Sequence, residues 1–147
     1  MNDAAILVVD DNPDHRELTV MALSECCDSE TILTAPDGVE ALDYLFARGP
    51  HAGRDTSRQP RLVILDMKLV RLHGLEVLRA IRQDPRTSAI PVIMHSSSTE
   101  KKDIAQCYAN GANSYVRKAT DYDELRRKMR QIHDFWMTVN ERFRSSA

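Results

Sequence analysis

Several absences narrow the reading of this sequence before any motif is considered. Three cysteines among 147 residues make an odd set, and Cys26 and Cys27 are neighbours poorly placed to bridge each other, so a disulfide framework is not expected. They read as reduced thiols, with Cys107 on the buried face of a helix. Long hydrophobic runs are also missing. Ala4–Val9 and Leu62–Leu65 are the longest, against the roughly 20 residues a membrane span needs. Met1–Asp3 lacks the charged and apolar regions of a signal peptide, so a cytosolic (cytoplasmic) protein without membrane contact is expected. Nor is there an excess of charge. Twenty basic against 22 acidic residues leave a net charge of −2, which supplies no global field for nucleic acid or an anionic membrane. With 5 Gly, 6 Pro, 42% hydrophobic and 29% charged residues, the chain is neither disordered nor collagen-like, and its length suits one domain with one core.

What is present is an alternation of periods. Ala4–Val9 is a continuous apolar run closed by Asp10 and Asp11, which predicts a strand buried on both faces. Asn12 or Asp11 can cap a following helix with Pro13 in its first turn, and Leu18, Met21, Ala22 and Cys26 recur there at helical spacing. Thr31–Ala35 reads as a second strand, and Val39, Ala41, Leu42, Leu45 and Phe46 as the apolar face of a second helix. Gly49–Pro60 lacks periodicity and predicts a surface loop longer than most connections. Arg61–Leu65 is a third strand ending at Asp66, and Leu75, Val77, Leu78 and Ile81 mark a third helix stopped near Asp84-Pro85. Ile90–Met94 enters Ser96-Ser97-Ser98 as a fourth strand, Thr99–Asn110 is a helix closed by Gly111, and Ser114–Val116 is a fifth strand before Arg117-Lys118. Five β-α units in succession predict an α/β fold with a doubly wound parallel sheet.

Ligands of such sheets sit at the carboxyl ends of the strands near a topological switch point. Asp10, Asp11, Asp66, Ser96 and Lys118 all fall at predicted strand ends, so residues distant in sequence gather at one edge. Three carboxylates held together repel unless a cation or proton intervenes, and Mg²⁺, which pairs with one or two carboxylates and a phosphate, is the natural counterion. Lys118 can pair with Asp66 or a phosphate oxygen, and the Ser96 hydroxyl can bond another. A carboxylate attacking phosphorus gives an acyl phosphate. Taken singly, Asp10-Asp11 would be a cap, Asp66 a turn former, Ser96–Ser98 a loop and Lys118 a solvated cation. Their coincidence at four strand ends points to function.

Over about residues 5–130 the chain resembles the receiver domain of two-component response regulators. The likeness rests on Ile6–Asp11 with its acidic pair, Leu62–Asp66 followed by Leu69 and Gly74, Pro91–Ser96, and Asn113–Lys118. It implies a flavodoxin-like five-stranded (βα)5 fold with Asp66 as phosphoacceptor and a sensor histidine kinase as partner. It implies Mg²⁺ held by Asp11, Asp66 and the backbone carbonyl of Lys68, with Asp10 acting largely through water. Lys118 becomes the phosphate-pairing cation, Ser96 the switch hydroxyl and Tyr115 the switch aromatic, turning inward on phosphorylation. Such a protein is a phosphoacceptor rather than an enzyme. Val70 and Ala119 stand where the family usually has proline, and His95 where it is customarily aliphatic; His95 is read as a core histidine satisfied by one hydrogen bond. A haloacid dehalogenase-type enzyme would want a second Asp two residues after the nucleophile, where Lys68 stands. A receiver-like interaction module that is never phosphorylated remains the alternative.

From Asp121 onward, Tyr122, Leu125, Met129, Ile132, Trp136, Val139 and Phe143 are spaced 3, 4, 3, 4, 3, 4, a heptad seam. Capped by Thr120 or Asp121, it predicts an extended C-terminal helix of about 23 residues, roughly 34 Å long. A receiver over 1–130 is therefore expected to carry a helical extension over 131–147, in which Trp136, Val139 and Phe143 form the arm of a homodimer. The alternative is that the helix folds back on its own domain. Arg126, Arg127, Lys128 and Arg130 read as a solvated helix face, and with the chain ending at Ala147 no DNA-binding output is expected. The long loop from Phe46 to Pro60 resembles that of single-domain regulators paired with bacterial and cyanobacterial phytochromes, which implies a phytochrome-type kinase.

Overall fold

Residues 4–143 are described by a computed structural model. Five strands, β1 (Ile6–Val9), β2 (Ile32–Ala35), β3 (Leu62–Leu65), β4 (Val92–Ser96) and β5 (Ser114–Arg117), alternate with helices α1 (Pro13–Ser24), α2 (Gly38–Leu45), α3 (Gly74–Gln83), α4 (Lys101–Ala109) and α5 (Tyr122–Asp134). All pairings are parallel, in the order β2-β1-β3-β4-β5. The interior strands β1 and β3 are apolar throughout because helices cover both faces. Leu7, Val9, Val63, Leu65, Val92 and Met94 meet α2, α3 and α4. Ile6, Val8, Leu62, Ile64 and Ile93 meet α1 and α5.

The order places β1 between β2 and β3, so the connections leaving β1 and β3 diverge and open a crevice at their carboxyl ends. Register aligns that edge: Val9 pairs with Leu65, Leu65 with Met94 and Met94 with Tyr115, which sets Asp10, Asp66 and His95 one residue further on. β4 lies further along the chain than its apolar run predicts. Pro91 has no N–H for the ladder, while polar His95 and Ser96 pair with Val116 and Arg117.

Arg82 ties the far side together. From α3 it donates to the carbonyls of Gly111 (2.9 Å), Ser88 (3.1 Å) and Ile90 (2.7 Å) and to Oδ1 of Asn113 (2.6 Å), which itself accepts from Val92 N (2.9 Å). Arg82→Ala strands several of these acceptors at once and is expected to cost about 2–3 kcal/mol. Thermal unfolding should then shift down by roughly 5–10 °C.

The long loop is ordered around Arg54, whose guanidinium lies 4.0 Å over the Tyr44 ring and donates to the carbonyls of Tyr44 and Arg58 and to Gln59 Oε1. Its first turn, Gly49–His51, is a short 3-10 helix rather than bare loop.

The C-terminal helix departs from the heptad expectation. α5 runs into a π-helical turn at Phe135–Val139, and the chain leaves the helix at Asn140 with ψ 130°. The bond from Asn140 N to the Phe135 carbonyl (2.7 Å) closes the wider turn, and the Thr138 hydroxyl bonds back to the Asp134 carbonyl. A π turn shifts the helical phase, so the 3-4 spacing no longer forms one stripe and the arm of about 23 residues is not a single straight helix. Trp136 packs partly against the core shared by Leu125, Met129 and Ile132, and the boundary expected after residue 130 falls inside α5. Val139 and Phe143 stay 66% and 73% exposed, Phe143 beyond the helix end. Arg142 beside it donates to the Gln59 carbonyl (3.0 Å). Residues 144–147 of the expected extension lie outside the described residues.

Candidate functional site

Asp10 leaves β1 and is held before α1 begins. Its Oδ1 accepts from Asn12 N (2.9 Å), and Arg16 Nη1 donates to its carbonyl (2.8 Å). Asn12, not Asp11, caps α1, accepting from Asp14 N and His15 N at 2.9 and 3.1 Å, which leaves the Asp11 carboxylate free of the capping role. Asp66 leaves β3 on the neighbouring strand, 7% exposed, and its Oδ1 accepts from Lys68 N (3.2 Å). Each of Asp10, Asp11 and Asp66 offers an oxygen within 4.8 Å of the others. Oxygens on opposite sides of an octahedral Mg²⁺ lie about 4.2 Å apart, so the cluster fits a hard divalent ion with little movement.

Lys118 reaches this cluster from the end of β5. Its Nζ lies 3.0 Å from Asp10 Oδ2 and 2.9 Å from Asp66 Oδ2, and its backbone N donates to the Ser96 carbonyl (2.8 Å). Burial alone would lower the Lys118 ammonium's pKa, but the hydrogen bonds and charges of Asp66 and Asp10 together raise it. Asp66 moves the other way from a typical salt-bridged carboxylate. Burial pushes its pKa up, with Asp10 adding to the rise, and Lys118 only partly offsets them. Its carboxylate is the group here whose charge is least comfortable.

Gly74 opens α3 directly above this turn. Its N donates to the Met67 carbonyl (2.9 Å), and a Cβ there would collide with the Asp66 carbonyl, so only glycine lets α3 approach. Arg71, at φ 67°, donates to Asp37 Oδ2 (2.9 Å) and pins the β3–α3 loop to the start of α2, which Asp37 caps through Glu40 N.

Asp10, Asp11, Asp66 and Lys118 are thus brought together as the sequence predicts. Ser96 ends β4, 1% exposed, its Oγ accepting from Ser98 N (3.2 Å). Tyr115 is half-buried, with its hydroxyl donating to the Ser98 carbonyl (2.8 Å). Trp136, Val139 and Phe143 follow α5 and take no part in the cluster. Sequence reasoning missed His15, whose Nδ1 lies 3.3 Å from Lys118 Nζ, and the Arg71–Asp37 pair. His15 in the first turn of α1, just after the acidic pair, was the available signal; nothing local signalled Arg71.

Residues 6–130 match the family model described as response regulator receiver domain. The chain belongs to the response regulator receiver family. Its relatives include the probable methanogenesis regulatory protein FilR2 of Methanothrix harundinacea, 36% identical over 92% of this chain and 84% of that protein. Response regulator Rcp1 of Synechocystis sp. is 30% identical over 90% of this chain and 87% of its own. A crystal structure of the phosphorylated cyanobacterial phytochrome response regulator RcpA superimposes with a TM-score of 0.87 at 30% identity, over 96% of this chain and 99% of RcpA. A Mn²⁺-bound structure of Rcp1 superimposes at 0.80 with 26% identity, over 94% and 97% of the two chains. The receiver is therefore a two-component protein with the flavodoxin-like fold, similar to phytochrome response regulators. Among its described residues no helix is long and apolar enough to cross a membrane.

Proposed function

We propose that this receiver accepts a phosphoryl group on Asp66 from the phosphohistidine of a sensor histidine kinase of the phytochrome type. An Asp66 carboxylate oxygen attacks phosphorus, the P–N bond breaks, and its electron pair stays on the departing imidazole. Lys118, already 2.9 Å from Asp66, turns its charge toward the phosphoryl oxygens, and the Lys68 N–H holds the remaining carboxylate oxygen. Asp11, Asp66 and the Lys68 carbonyl, with Asp10 behind them, would hold Mg²⁺, which supplies charge neutralisation to the transferring group. The observation that carries this reading is the buried Asp66 carboxylate bridged by Lys118 to Asp10. Likeness to the phytochrome response regulator RcpA supports the phytochrome link, and a cytoplasmic location is proposed with it.

Mixing the protein with Mg²⁺ and radiolabelled acetyl phosphate is expected to give an acid-stable, alkali-labile label, and chelation to prevent it. A protein that stays unlabelled with both acetyl phosphate and a phosphorylated kinase would instead be an interaction module. For the signal, Ser96 is the proposed switch hydroxyl and Tyr115 the aromatic that exchanges its bond to Ser98.

A homodimer is proposed as well, with the end of α5 as its seam. Phe135, Val139 and Phe143 are exposed around a half-buried Trp136, and a second copy would cover them. Light scattering should give twice the monomer mass at about 50 µM, falling toward monomer in Val139→Glu; a wild-type monomer before and after phosphorylation would remove the dimer.

A further inference from the structure

Behind Lys118, on the side away from the carboxylates, a cleft of about 280 Å³ opens between α1 and the β5–α5 connection. Leu18, Ala119, Tyr122 and Leu125 line it with apolar surface, His15 and Thr120 stand at it, and His95 of β4 is part of its lining. His95 is 5% exposed, and its Nε2 is the one buried side-chain nitrogen or oxygen among the described residues with no hydrogen-bond partner. The single hydrogen bond expected from the sequence is absent at that atom. Buried polar atoms are almost always satisfied, so an orphan on a ring that lines a cleft calls for an explanation.

Three polar groups at the cleft are already engaged. Asp121 Oδ1 accepts from Glu124 N (2.8 Å), the Thr120 hydroxyl donates to the Glu124 carboxylate (3.1 Å), and Lys118 Nζ is held by Asp10 and Asp66. A molecule entering the cleft meets apolar walls and the imidazole of His95. Burial, reinforced by the Lys118 charge, lowers the His95 pKa to about 4, so the ring is neutral near pH 7. A neutral imidazole can carry its proton on either nitrogen, and a hydroxyl, both donor and acceptor, matches either form. The volume suits a ligand smaller than a drug, about six to ten heavy atoms.

We propose that this cleft is a binding site for an uncharged single-ring aromatic molecule bearing a hydroxyl, which hydrogen-bonds the imidazole of His95 while its ring packs on Leu18, Ala119 and Leu125. The ring would also lie against the loop that carries Lys118 and one residue along β4 from Ser96, so its presence would stiffen the cation that serves Asp66. That consequence rests on the function proposed above; binding does not.

The test is a titration of the metal-free, unphosphorylated protein with phenol, followed through backbone amide resonances. Saturable shifts confined to Leu18, Thr19, His95, Ala119 and Leu125 are expected, with a dissociation constant of about 1 mM. His95→Val, which removes the imidazole, should weaken binding by at least about tenfold, equivalent to the loss of one hydrogen bond. Leu18→Trp sits on the exposed side of α1 and should close the mouth without disturbing the core, so it tests the site even if the His95 variant unfolds. Benzylamine, of similar size but cationic, should not bind beside Lys118. Absence of saturable shifts with phenol, or equal affinity in the wild type and both variants, would overturn the proposal, whatever the outcome of phosphorylation assays.

Discussion

Asp66→Asn should abolish phosphoryl labelling while leaving the fold as stable as before or more so. The amide has no anionic oxygen to attack phosphorus, so the label should fall to background with acetyl phosphate and with a phosphorylated kinase alike. The stability half of the result is the more discriminating. In most folds, deleting one partner of a buried ion pair is strongly destabilising because the other charge is left alone. Here Lys118 keeps Asp10 at 3.0 Å, and the carboxylate removed is the one whose pKa is raised by burial and by Asp10. A carboxyl group with a raised folded pKa binds protons more tightly in the native state than when unfolded. It therefore costs stability once ionised, and its loss relieves that cost. Melting in metal-free buffer should move by no more than about 1 kcal/mol in the destabilising direction. Titrating Mg²⁺ should stabilise the wild type more than the variant. Retained labelling in Asp66→Asn would move the phosphoacceptor elsewhere, and a large fall in melting temperature would contradict the electrostatic account.

His95 should make the protein acid-sensitive well above the range in which carboxylates usually act. Its pKa is about 6.5 unfolded and about 4 folded, lowered first by burial and then by Lys118. The unfolded chain therefore takes up this proton first as pH falls. Its contribution is intact above about pH 6.5 and is lost progressively down to about 4. The displacement corresponds to about 3 kcal/mol over that interval. Asp66 opposes it, because a raised carboxyl pKa makes acidification stabilising, so the two should be separated by mutation. Glu124, lowered from 4.5 to about 2 chiefly by its bond to Lys128, loses its contribution mainly below about pH 4.5 and so matters little at pH 5. Urea unfolding at pH 7 and pH 5 should show a loss in the wild type that is largely absent in His95→Val. Equal losses in both would show that His95 is not the group responsible.

How far the molecule was legible in its sequence depends on the range of the interaction. The strands and the carboxylates at their ends follow from local pattern, since a run such as Leu62–Leu65 can only be buried on both faces and Asp66 must then emerge where it stops. β4 was misread by two residues because hydropathy ignores that Pro91 cannot donate and that His95 and Ser96 have ladder partners. The length of α5 failed for a related reason. A 3-4 spacing is a statement about a regular helix, and the turn closed by Asn140 N on the Phe135 carbonyl breaks that regularity without changing any apolar position. Arg82 and Arg71 were invisible because their partners, Asn113 and Asp37, are distant along the chain and become neighbours only in the fold, and His15, whose partner Lys118 is equally distant, was marked only by its place just after the acidic pair.

That order puts Lys118 at the end of the outermost strand, β5, while the carboxylates it serves hang from two interior ones. Interior strands are clamped on two sides, but a rim strand yields to whatever leans on it. Any body resting against β5 or α5 thus has a lever on the central negative cluster without touching it. The same lever, worked in reverse, would carry a new charge on Asp66 outward to that body.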